Sequence, residues 1–194
     1  MIKVRFLLIF IFIFQTIISQ NNEYISIDSL DIIYRKNFRL SKKLSPIEFT
    51  DNAHDFLELL EIQRKVYKSF NDRKISKKPK LDIDQLIPLQ VHTYLDLMLF
   101  GTIKNNIDSI QLYKTKVSNI TSDSLLIGQS YGKSAYTYLK NNMFSKAIID
   151  YQIASSYFKN SKKSGSQNSQ ITNFINLINT HIVIGTLEQA SITL

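Results

Sequence analysis

The chain has 194 residues, is 44% hydrophobic and contains no cysteine. This length suffices for one compact domain or about four helical hairpins. The absence of cysteine excludes disulfides, thiolate metal sites and a cysteine nucleophile. Five glycines and three prolines are few for a fold with many turns, so the composition favours helices over strands.

The net charge of +8 has its excess in residues 31 to 80, which hold 13 Lys or Arg and 7 Asp or Glu. Such a segment fits either a surface for nucleic acid or an exposed face in a lysine-rich protein. Aromatic residues do not alternate with the basic ones and no recognition-helix motif is found. We therefore expect an exposed face and no nucleic-acid partner.

Residues 1 to 19 predict an export signal. Lys3 and Arg5 precede an apolar run over residues 6 to 14, and a more polar end follows. This order is typical of a secretory signal, and the run is shorter than the about 20 residues that span a bilayer. An uncleaved anchor is the alternative, because Ile17 stands where a small residue usually precedes the cleavage site. The expected location is the periplasm or cell envelope.

Helical patterns begin soon after the leader. Apolar residues at helical spacing predict a helix over about 26 to 40, and a capping box at 45 to 48 (Ser-Pro-Ile-Glu) opens the next. A third stretch, from about Asp84 to Lys104, is apolar on nearly every face, which is typical of a helix buried between neighbours. Pro88 inside it predicts a kink or a helix start close by.

Residues 123 to 194 contain one spacing of aromatic and small residues twice. The first copy has Tyr131, Ser134, Ala135 and Tyr138, followed by Ala147 and Tyr151. The second copy has Phe174, Leu177, Ile178 and His181, followed by Ala190 and Leu194. The spacing resembles the tetratricopeptide repeat (TPR), whose signature is W-x2-L-G-x2-Y followed by A-x3-F.

The resemblance implies a core for these repeats. Ala135 and Ala147 stand where the family needs small residues, because two helices cross closely there. Asn142 and Gly185 take the turn between paired helices, a place that requires the left-handed backbone conformation. The implied core consists of Tyr131, Ala135, Tyr138, Phe144, Ala147, Tyr151, Ala154, Phe174, Leu177 and Ala190.

The resemblance also implies a groove for a protein or peptide partner on the first helix of each repeat. Its residues would be Gln129, Tyr136, Leu139, Lys140, Asn179 and Val183. No catalytic, metal-binding or cofactor-binding residue is predicted, because nucleotide-binding, hydrolase and metalloprotease motifs are absent and the three histidines lie far apart.

The predicted fold is all-α, with antiparallel helical hairpins stacked as a TPR-like α-solenoid. Residues 20 to 122 would hold degenerate repeats, suggested by Lys-Asn-Asn at both 104 to 106 and 140 to 142. The last repeat, within 123 to 194, stops early in its second helix. We expect a truncated solenoid whose apolar end, residues 170 to 194, either drives self-association or frays from about Ser169 onward.

These expectations favour a non-enzymatic, exported scaffold. The chain resembles the exported N-terminal part of Bacteroidetes-type TPR sensor and regulator proteins, which implies the sensor part of a longer regulator. The alternative is a self-contained adaptor in envelope or secretion assembly, and an enzyme is a third, disfavoured interpretation. Membrane contact would require an uncleaved leader or a downstream span.

Overall fold

The computed structural model describes residues 25–41, 45–72, 82–104 and 106–186, and these ranges contain seven α helices and no strand. The all-α class is therefore confirmed for this part of the chain. The leader (residues 1 to 19) and Ala190 lie outside the described residues. The helices are α1 (Ile27–Ser41), α2 (Pro46–Asp72), α3 (Leu86–Ile103), α4 (Ile107–Ile120), α5 (Ser124–Lys140), α6 (Phe144–Asn160) and α7 (Ser166–Val183), and a 3-10 turn (Ile83–Gln85) precedes α3.

Helices α2, α3 and α5 begin at residues suited to helix starts, and the predicted capping box is present. The Glu48 carboxylate accepts a hydrogen bond from the Ser45 N–H at 2.8 Å, and the Ser45 hydroxyl accepts one from the Glu48 N–H at 3.3 Å, which completes the capping box of α2. Asp123 caps α5 by accepting from the Leu125 N–H at 2.9 Å. Pro88 lies in the first turn of α3, where its missing N–H leaves no helical bond unmade.

Each helix packs against the next one in the chain, and α1, α3, α5 and α7 also pack against one another in that order. The odd-numbered helices therefore form a continuous row of contacts. The even-numbered helices α2, α4 and α6 each pack against the odd-numbered helices that precede and follow them in the chain.

Helix α3 is the most apolar element of the described residues and is in contact with α1, α2, α4 and α5. Together with its 3-10 turn it spans 21 residues, which by length and composition is enough to cross a membrane. Ten of its residues are buried against its neighbours, as the sequence predicts. One line stays open, however, because Pro88, His92 and Leu99 are exposed on the same side of the helix.

Helices α3, α5 and α7 end in the same way. At each end, an N–H bonds to the carbonyl four residues earlier, and the N–H two residues further on bonds to the carbonyl five residues earlier. Asn142 (φ 57°) and Gly185 (φ 76°) lie between these two donors in the left-handed conformation, as predicted. The bonds that span five residues run from the N–H groups of Asn106, Met143 and Thr186 to the carbonyls of Gly101, Tyr138 and His181, at 2.9, 2.9 and 3.0 Å respectively.

These helix ends define equivalent positions along the chain. Equivalent residues are 37 apart between α3 and α5 (106 to 143) and 43 apart between α5 and α7 (143 to 186). The Lys-Asn-Asn tripeptides are 36 residues apart, so their alignment is wrong by one residue. The hydrogen bonds instead align Tyr94 with Tyr131 and with Phe174.

The α3–α4 and α5–α6 pairs place their large and small residues on opposite helices at one equivalent contact. A Cβ atom on Gly101 of α3 would lie 3.0 Å from the Ile110 Cδ1 atom of α4. At the equivalent positions, α5 carries Tyr138 and α6 carries Ala147, which are 4% and 0% exposed. In the α3–α4 pair the large residue is on the even-numbered helix, and in the α5–α6 pair it is on the odd-numbered helix. The space between the two helices is therefore filled in both pairs.

An ion pair between half-buried Lys114 and buried Asp150 links α4 to α6. Lys114 Nζ lies 2.8 Å from Asp150 Oδ2, and the two side chains are only 17% and 7% exposed. The same ammonium lies 4.8 Å from the centre of the Tyr131 ring of α5, within cation–π range. One lysine therefore contacts two further helices at once.

We expect Gly128→Ala to lower the free energy of unfolding by about 1–3 kcal/mol, because the new Cβ would lie 2.6 Å from the buried Phe158 ring. Gly132→Ala in the same helix is the control. Its Cβ would lie 3.6 Å from Asn173 Oδ1, so the better helix propensity of alanine should raise stability by up to about 1 kcal/mol. Urea denaturation measures both changes, and equal effects would refute the close α5–α6 contact.

We expect Asp123 to contribute acid-sensitive stability. Burial raises the pKa of its carboxyl, but the Lys163 ammonium and the Leu125 and Leu126 N–H groups outweigh burial and hold the pKa below its ordinary value of 3.8. The contribution is therefore present above pH 3.8 and is lost as the pH falls through the lowered pKa.

Asp123→Asn keeps a capping residue but removes the charge. It should cost about 0.2–1 kcal/mol at neutral pH and should reduce the loss of stability between pH 5 and 3, measured by urea denaturation. Asp108→Asn, at the exposed start of α4, is the control. An unchanged acid slope in the Asp123 variant would contradict this role.

Candidate binding face

The equivalent positions of α3, α5 and α7 leave three side chains of each helix exposed or half-buried on the same side of the row. We call these nine residues the odd-helix face. They are His92, Leu99 and Ile103 on α3, Gln129, Tyr136 and Lys140 on α5, and Thr172, Asn179 and Val183 on α7.

The face is apolar toward the C-terminal ends of the three helices. Leu99 is 42% exposed, Ile103 58%, Tyr136 41% and Val183 63%. Each of the three neighbouring helices thus presents at least one large hydrophobic side chain at this end of the face, with Lys140 and Asn179 at the two remaining positions. The N-terminal part of the face is polar, with a histidine, an amide and a hydroxyl group. Lys140, at the C-terminal end of α5, is the only lysine among the nine residues.

Five of the six groove residues that the sequence predicts belong to this face. The structure brings Tyr136 and Lys140 together, with the Lys140 Nζ atom 5.2 Å from the centre of the Tyr136 ring. Leu139 differs, because its half-buried side chain packs against the core cluster of Ala135 and Leu177. Position 139 therefore points toward the next helices and does not line the face.

The α3 residues of the face were not predicted from the sequence. Leu99 and Ile103 lie in a segment that is apolar nearly all round, so hydrophobicity alone could not separate its open line from its buried ones. The alignment of Tyr94 with Tyr131, 37 residues later, would have identified them. In this alignment Leu99 is equivalent to Tyr136, and Ile103 is equivalent to Lys140.

The implied repeat core is largely buried. Ala135, Ala147, Tyr151 and Ala154 are completely buried, and Tyr138 and Leu177 are 4% and 1% exposed. Tyr131, Phe144 and Phe174 are half-buried. The Tyr131 ring stacks on the Tyr157 ring of α6, with 5.9 Å between the ring centres.

Charged side chains lie beside the odd-helix face, between α1, α3 and α5. The Tyr34 hydroxyl donates a hydrogen bond to Asp96 Oδ2 at 2.7 Å and so joins α1 to α3. Burial raises the pKa of the Asp96 carboxyl, while the Tyr34 hydrogen bond and the Lys133 ammonium oppose that rise. Burial lowers the pKa of Lys133, and Asp96 opposes that change.

This group of side chains does not form a metal site. Among the residues that the structure describes, no three His, Asp or Glu side chains come together in a way that could hold a metal ion. The group instead connects three helices, because the Asp96 carboxylate of α3 accepts a hydrogen bond from Tyr34 of α1 and attracts Lys133 of α5.

Comparison of the chain with protein-family models, with curated proteins and with solved structures gave no match. The resemblance to the TPR family therefore depends on the residue spacing in the sequence.

We expect Tyr34→Phe to lower the free energy of unfolding by about 1–2 kcal/mol near neutral pH, because the half-buried Asp96 carboxylate would lose its hydrogen bond. The loss should shrink as the pH falls and Asp96 is protonated, since a neutral carboxyl needs the hydrogen bond less. Urea denaturation between pH 4 and 8 measures it. Tyr157→Phe is the control, and a deficit independent of pH would contradict the assignment to Asp96.

Proposed function

We propose that this protein is a non-enzymatic scaffold that binds a protein or peptide partner on its odd-helix face. The observation that carries the proposal is the repeated exposure of Leu99, Ile103, Tyr136 and Val183 on three neighbouring helices. Exposed apolar side chains that form one surface commonly mark interaction sites. Aromatic side chains such as that of Tyr136 often supply much of the binding energy.

The composition of the face favours one class of partner. Its apolar part suits the hydrophobic side chains of an extended peptide or of an amphipathic helix. Its amide and hydroxyl groups can bond to the partner's backbone. A nucleic acid fits poorly, because phosphate binding needs several cations and the described face carries one lysine.

We further propose a TPR-like α-solenoid as the architecture. The identical ends of α3, α5 and α7 and the row of odd-numbered helices support it. So does the burial of Ala135 and Ala147 at the positions where the family requires small residues. Residues 1 to 19 support export to the periplasm or cell envelope, and the family resemblance supports a place in the sensor part of a longer regulator.

A displayed peptide library selected against the purified chain tests the binding function. We expect the selected peptides to share apolar side chains and to lose affinity about tenfold or more with Leu99→Glu or Tyr136→Ala, as measured by calorimetry. Leu112→Glu is the matched control, since Leu112 is 51% exposed but lies on α4. Peptides that respond equally to all three changes, or a selection without binders, would contradict the proposal.

A further inference from the structure

Helix α7 carries a second exposed apolar surface, distinct from the odd-helix face. Ile171, Ile175 and Ile182 are 50%, 53% and 51% exposed, and Ile178 between them is half-buried. We call these four residues the isoleucine stripe. Their spacing of four, three and four residues places them along one side of the helix and is the spacing of a seam between two paired helices.

The equivalent line on α5 is covered by the helices that follow it. It consists of Gly128, Gly132, Ala135 and Leu139. A Cβ atom on Gly128 would lie 2.6 Å from the Phe158 ring of α6, and one on Gly132 would lie 3.6 Å from Asn173 Oδ1 of α7. The isoleucine stripe is thus the side of α7 on which further helices would pack.

The side chains of the stripe prevent a helix from packing on α7 as closely as α6 packs on α5. Where α5 has two glycines and an alanine, α7 has three isoleucines, so a helix cannot approach α7 as closely as α6 approaches α5. Isoleucines at this spacing instead favour packing in which side chains of one helix insert between those of another.

Two features make the stripe complementary to itself. The four-three-four spacing reads the same from either end, so an antiparallel second copy would place Ile171 beside its Ile182 and Ile175 beside its Ile178. Residues 164 to 187 contain no Asp, Glu, Lys or Arg, although the chain carries a net charge of +8. Two positively charged copies can therefore meet at α7 with little local repulsion.

We propose that the chain forms a dimer in which the isoleucine stripes of two copies pack antiparallel about a two-fold axis between residues 175 and 178. Such an isologous contact is closed, because each copy uses the same surface. It leaves the α3 and α5 parts of the odd-helix face available for the partner, since Leu99 and Tyr136 lie on these two helices and not on α7.

The absence of cysteine allows a direct test on the full chain. One chain carries Ile171→Cys and another carries Ile182→Cys. After mixing and oxidation, we expect a disulfide between the two variants and little between two copies of one variant. In the antiparallel dimer, identical positions would lie about 16 Å apart along the helix axis, beyond the reach of a disulfide.

Sedimentation provides the second measurement. Ile175→Glu should raise the dimer dissociation constant about a hundredfold or more, because it would bury two unpaired carboxylates. Ile149→Glu, at an equally exposed isoleucine of α6, should leave the constant unchanged. Circular dichroism shows whether each variant is folded.

Three results would overturn the proposal. These are a wild-type chain that sediments as a monomer at micromolar concentration, a dimer that survives Ile175→Glu, and disulfides that form between identical positions only. If Ile175→Glu fails to fold, the pattern of cross-links between the two cysteine variants decides the question. Peptide binding to the odd-helix face is measured separately and does not depend on this outcome.

Discussion

The arrangement of this protein depends on the need to cover helix α3. Ten of its residues are buried, and they face in so many directions that no single neighbour could shield them from water. Four helices are therefore in contact with α3, and α1, α2, α4 and α5 take positions around it. The α5–α6–α7 group is attached through α5, partly by the buried 2.6 Å hydrogen bond between Thr102 and Thr137.

The same packing leaves one side of each odd-numbered helix uncovered and available for binding. A helix in a row of side-by-side helices has neighbours before it, after it and behind it, but none in front. That remaining side of α3 holds His92, Leu99 and Ile103, and α5 and α7 repeat it. The odd-helix face is thus a consequence of the packing order, and its chemistry is set by residues that the packing does not constrain.

Small residues determine how far the row can continue with the same spacing. Gly128 lets α6 approach α5 closely, whereas Ile171 takes the equivalent place on α7. At equivalent helix positions, glycine on α5 allows close helix packing, whereas isoleucine on α7 prevents it. The first favours continuation within the chain, and the second favours association with a second copy.

Sequence alone determined the helical class, the capping box at Ser45 and the turn residues Asn142 and Gly185, because each depends on neighbours within a few residues. Tertiary structure alone decided which side of α3 stays open, why Leu139 faces the core, and that Tyr34 of α1 bonds to Asp96 of α3. These depend on which helices become neighbours. Hydrophobic periodicity shows which residues avoid water, but it does not show which helix covers them.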